Sequence, residues 1–62
     1  MSAYPGCCIS LDGYKTYGNA YTTREENLRE AWNEIKRHGI PMPKSKDEFL
    51  RRGGRVEWYR SY

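Results

Sequence analysis

The stretch from Thr23 to His38, TREENLREAWNEIKRH, constrains this chain more than any other, because it is the only segment with strong helical periodicity. Leu28, Ala31, Trp32 and Ile35 follow the i, i+3, i+4, i+7 spacing of one buried helix face. Thr23 is placed to cap the first turn, with Glu26 three residues on completing a capping box. Lys36, Arg37 and His38 fall where the negative end of the helix dipole favours cations, and Gly39 supplies a left-handed exit. The rest of the chain must fit around this rod.

Before the helix, Cys7 to Leu11 reads as a short strand. Asp12-Gly13, a favoured two-residue hairpin turn, leads into a second strand, YKTY. This turn pairs Leu11 with Tyr14, Ile9 with Thr16 and Cys8 with Tyr17. Alternation then sorts the side chains. Ile9, Leu11, Tyr14 and Thr16 share the face expected against the helix. Cys8, Ser10, Lys15 and Tyr17 share the other. A turn at Gly18-Asn19 would reverse that sorting, since a one-residue slip flips every side chain.

After the helix, Gly39-Ile40-Pro41-Met42-Pro43 prevents its continuation. Ser45 opens a second capping box, SKDE, for a short helix of about Lys46 to Arg52 with Phe49 and Leu50 as its buried contribution. Gly53-Gly54 ends it. Arg55 to Tyr59, RVEWY, is the last strand, with Val56 and Trp58 turned to the core and Arg55, Glu57 and Tyr59 outward. The expected fold is α+β: a small single domain over residues 1–62 in the order ββααβ, with about three antiparallel strands packed on one main helix. Residues 1–6 are expected as a flexible lead-in.

Size bounds the function. Sixty-two residues bury only about 60% of the surface of the unfolded chain. A deep catalytic site would compete with the core for Ile9, Leu11, Leu28, Ala31, Trp32, Ile35, Ile40, Phe49, Leu50, Val56 and Trp58. The chemistry of catalysis is also sparse. Cys7, Cys8 and His38 fall short of the four ligands of a zinc site, and adjacent strand residues point to opposite faces. One of the two thiols is expected buried and the other exposed. A Cys8–His38 nucleophilic pair lacks a third group to orient it. No phosphate-cradling glycine motif is present. No enzyme activity, metal or cofactor is expected.

Nor does the chain carry a secretory signal or a membrane-length apolar run. Two adjacent cysteines make a poor structural staple and suit a reducing, cytoplasmic setting.

What remains is a surface. The net charge is +3, and residues 44–62 hold six Lys/Arg against three acids, so the whole excess lies there. The outward sheet face carries Lys15, Tyr17, Arg55 and Tyr59, with Arg51, Arg52 and Arg60 along its rim. Cations contact phosphate, and exposed rings on a sheet stack unpaired bases. The acidic flank of the main helix, Glu26, Glu30 and Glu34, should point away from such a ligand. The expected function is a non-catalytic binding protein that contacts nucleic acid, or a nucleic-acid-processing complex, through this basic, tyrosine-rich face.

The same Tyr, Trp and Arg residues suit a protein interface, and a free strand edge suits pairing with a partner's sheet. The alternative is therefore an inhibitor or adaptor that binds a host or defence protein directly. In size and texture, though in no motif, the chain resembles the small inhibitors that phages encode. Self-association is a further expectation for so small a chain.

Overall fold

A computed structural model of the protein describes residues 4–20 and 23–61, with side-chain surroundings for 5–20 and 23–59. The order is ββααβ: β1 (Tyr4–Leu11), β2 (Tyr14–Gly18), α1 (Arg24–Arg37), α2 (Lys46–Arg51) and β3 (Arg55–Ser61). The three strands form one antiparallel sheet in the order β2-β1-β3. The fold is α+β, as the sequence pattern implies.

Local chemistry explains the boundaries. Asp12 (φ 53°) and Gly13 (φ 82°) take the two left-handed positions of the hairpin turn, which match the twist of the flanking strands. The turn sets the expected register, with Leu11 opposite Tyr14, Ile9 opposite Thr16 and Cys8 opposite Tyr17. The Thr23 hydroxyl accepts from the Glu26 amide at 3.2 Å and caps α1. The Ser45 hydroxyl accepts from the Glu48 amide at 3.1 Å and caps α2. Gly39 (φ 74°) terminates the first helix through the left-handed conformation expected of it.

The core lies between α1 and the β1–β2 hairpin. Ile9, Leu11, Ala31 and Ile35 are fully buried together with Cys7, and Ile40 folds back to close the edge. Leu28, Trp32 and Phe49 pack partly buried against them. Two polar groups tie the layers. The Thr16 hydroxyl donates to the Ala31 carbonyl at 2.9 Å, and the amide of buried Asn27 donates to the Pro5 carbonyl at 3.0 Å. Gly18 lets α1 sit directly on the end of β2, where any Cβ would overlap the Asn27 carbonyl.

Several expectations need correction. β1 begins at Tyr4 rather than Cys7, so three residues expected in the lead-in pair with β3. Both cysteines are buried, not one. Leu50 is 55% exposed, since α2 is a six-residue helix whose only partly buried apolar side chain is Phe49. Val56 and Trp58 face the helix side but remain 40% and 37% exposed. The reason is width. A helix is about 10–12 Å across, while three strands at about 4.8 Å spacing are wider. α1 packs on β1 and β2, and β3 lies beyond its cover.

Candidate binding surface

Strand pairing assembles the outward face row by row. Lys15, Ser10 and Arg55 are directly opposite one another across β2, β1 and β3. Tyr17, Cys8 and Glu57 form the next row, and Gly6 stands opposite Tyr59 in the one after. Each strand alternates, so all these positions point away from α1. Lys15, Tyr17, Arg55 and Tyr59 therefore share one face, and no described helix packs on it.

The Tyr59 ring lies against β1 at Gly6. A Cβ on Gly6 would stand 2.6 Å from the ring's Cε1, so only glycine admits the ring there. The Asn19 amide donates to the Tyr59 hydroxyl at 3.4 Å, which holds the phenol toward the end of β2. Tyr17 is half exposed. Cys8, only 6% exposed, lies beside it, and this thiol holds the Tyr17 phenol above its ordinary range, with Tyr59 and Glu57 adding to the effect. Burial, with Cys8 next to it, likewise raises the Cys7 thiol on the opposite face. The Tyr17 phenol therefore stays neutral near pH 7, and the Tyr17 and Tyr59 rings both lie on this face.

The cations divide. Arg55 pairs with Glu57 on its own strand at 3.3 Å, and both side chains are more than half exposed. Arg52 is withdrawn from the rim. Its Nε donates to Asp12 at 3.1 Å, Nη2 to Asp12 at 2.5 Å and to the Pro41 carbonyl at 2.7 Å, and Nη1 to Glu48 at 3.0 Å. It clamps the hairpin turn to α2. Arg51 is exposed in the last turn of α2. Arg60 belongs to β3, and its side chain lies outside the described residues.

On the acidic flank of α1, Glu30 and Glu34 both pair with Arg37. A shallow dent of about 130 Å³ lies on α1's outer side among Glu26, Arg29, Glu30 and Asn33. That is well below the roughly 300–1,000 Å³ of small-molecule pockets. Among the described residues no cluster of His, Cys, Asp or Glu is placed to hold a metal ion, and no helix is long and apolar enough to cross a membrane.

Two features escaped sequence reasoning. Gly6 is the seat for Tyr59, and the signal was available: a glycine inside a strand marks close approach. The uncovered strip on β3's helix side is the other. There the Arg24 guanidinium stacks over the Trp58 ring at 4.4 Å, and Trp32 meets Phe49 with ring centres 5.7 Å apart. Compared with family models, curated proteins and solved structures, the chain matches none.

Proposed function

We propose that the protein is a non-catalytic binding module that contacts nucleic acid, or a complex holding it, through the outward face of its sheet. The observation that carries this is the placement of Tyr17 and Tyr59 with Lys15 and Arg55 on a sheet face that no described helix covers. The rings stack on bases, and the cations meet phosphates. Arg51 is exposed at the end of α2 and adds a cation near the chain's basic third, whereas strand alternation assigns position 60 to the other face of the sheet from Tyr59. Arg52 serves the fold instead.

The charge on the face refines the ligand. Glu57 offsets Arg55, so Lys15 is left as the net positive charge of the three. Stacking then supplies most of the affinity, and stacking needs unpaired bases. Single strands are preferred over duplex. Fluorescence anisotropy with labelled single- and double-stranded oligonucleotides across a salt series tests this. A preference for single strands is expected, with a log–log salt slope of about −0.7 to −1.4 for one or two phosphate contacts. No binding at low salt, or equal affinity for duplex, overturns it. Two free thiols suit a reducing, cytoplasmic setting for this activity.

A second reading has its own support. The exposed Val56, Trp58 and Leu50 suit an inhibitor or adaptor of the phage type that binds a host or defence protein directly. That reading predicts a single partner whose binding survives nuclease treatment and high salt.

A further inference from the structure

β3 is an edge strand. It pairs with β1 on one side, and no described strand pairs with the other. Such an edge is a template for another strand unless charge or distortion blocks it. Here the side chains invite one particular occupant. On the outward face Arg55 and Glu57 alternate in sign, 71% and 55% exposed. On the helix side Val56 and Trp58 remain 40% and 37% exposed, with the Arg24 guanidinium over one face of the Trp58 ring.

We propose that this edge pairs antiparallel with β3 of a second copy of the chain, in a register centred on Val56. Two-fold pairing keeps the faces aligned only when residues of the same face stand opposite one another. Every register centred on a residue satisfies this, and charge separates those at the middle of the strand. Centring on Glu57 sets two like carboxylates against each other. Centring on Trp58 sets Glu57 against Tyr59 and forms no ion pair. Centring on Val56 sets each Arg55 against Glu57 of the other copy, twice over, with the two Val56 side chains in contact.

The same register places Trp58 opposite Gly54 of the second copy. Gly54 lies against Phe49, whose ring would come within 2.5 Å of any Cβ there. An incoming indole would meet a glycine backed by the Phe49–Trp32 pair, and an aromatic ring across from a glycine is a favourable sheet contact. The apolar strip that one helix is too narrow to shield is then covered by its own symmetry mate. The sheet becomes six-stranded, with both tyrosine faces on the same side. The dimer stands apart from the nucleic-acid reading, since either can fail alone.

Sedimentation equilibrium of the full chain over micromolar to millimolar concentrations tests this, with circular dichroism confirming that each variant is folded. Wild type should approach twice its 7.4 kDa mass. Glu57→Arg and Arg55→Glu should each weaken dimerisation by about ten-fold or more, because two attractive cross-strand pairs become repulsive. An equimolar mixture of the two variants should recover the dimer to within about three-fold of wild type, since every Arg then faces a Glu. The mixture leaves each variant's own strand unpaired, so recovery reports contact between chains. Val56→Lys, which puts two cations on the symmetry axis, should abolish the dimer. A wild type that stays at 7.4 kDa throughout, single variants that dimerise like wild type, or a mixture that stays monomeric overturns the proposal.

Discussion

Arg52 grips Asp12 from forty positions away, with Nε 3.1 Å and Nη2 2.5 Å from its carboxylate oxygens, while the Asp12 amide donates to the Arg52 carbonyl at 3.1 Å. The contact runs both ways, side chain to side chain and backbone to backbone. It fastens the hairpin turn to the end of α2. Replacing Arg52 with Ala should therefore lower the thermal midpoint by several degrees, whereas Arg51→Ala, on the exposed side of the same helix, should leave it nearly unchanged. Equal effects in differential scanning calorimetry would show that the clamp does not matter.

Acid should loosen the same joint. The hydrogen bond from Arg52 holds the Asp12 carboxyl below its usual 3.8. The Lys44 amide, then Arg52, holds Glu48 below its usual 4.5. Both groups bind protons more weakly folded than unfolded. Their stabilisation is complete above about pH 4.5 and is lost as pH falls through the lower folded-state values. Arg52 is shifted upward by Asp12 and stays charged throughout. Urea midpoints measured from pH 7 to pH 2 should fall below pH 4.5 in wild type and fall less in Asp12→Asn. Parallel curves would contradict this.

The uncovered position of β3 sets up a contrast between two aliphatic residues opposite one another. Ile9 is fully buried, and its neighbour Val56 is 40% exposed. Ile9→Ala should cost about 2–5 kcal/mol, a large share of the stability of a domain this small. Val56→Ala should cost under about 1 kcal/mol in the monomer. Urea titration at low micromolar concentration gives both values, and similar losses would mean that β3 is covered after all.

Gly6 and Tyr59 should show coupled energetics. Gly6→Ala places a methyl group 2.6 Å from the ring and should destabilise the fold. Removing the ring in the Gly6→Ala, Tyr59→Ala double variant should relieve much of that loss, with a coupling of about 0.5–3 kcal/mol. Additive losses would mean that the ring does not rest on Gly6. Gly18→Ala should destabilise strongly with no such relief, because there the obstacle is the backbone of α1.

Much of the fold was legible because its signals are local. Two caps, one Asp-Gly turn and one helical stripe specify α1, α2 and the hairpin register, and each acts within about four residues. The outward placement of Lys15 and Tyr17 follows from that register alone. Less legible was anything set by three-dimensional width. Val56 and Trp58 alternate like core residues, and nothing local says that β1 takes the centre and leaves β3 past the edge of α1. Arg52 had the same difficulty. Its spacing from Glu48 was visible, but Asp12 is forty residues distant, so a structural clamp looked like a free surface cation. Asn27, fully buried, breaks the polar pattern of its helix because it reaches the Pro5 carbonyl on β1.

The tyrosine face is the central claim, and mapping a ligand onto it tests that claim most directly. Backbone amide NMR shifts can be followed while a short single-stranded pyrimidine oligonucleotide is added to the isotope-labelled protein. The shifts should concentrate at Lys15, Tyr17, Glu57 and Tyr59 and spare the Glu26–Glu30–Glu34 flank of α1, and Tyr17→Ala should weaken binding by about 1–3 kcal/mol. Shifts gathered on α1, or none at saturating oligonucleotide, would contradict the account.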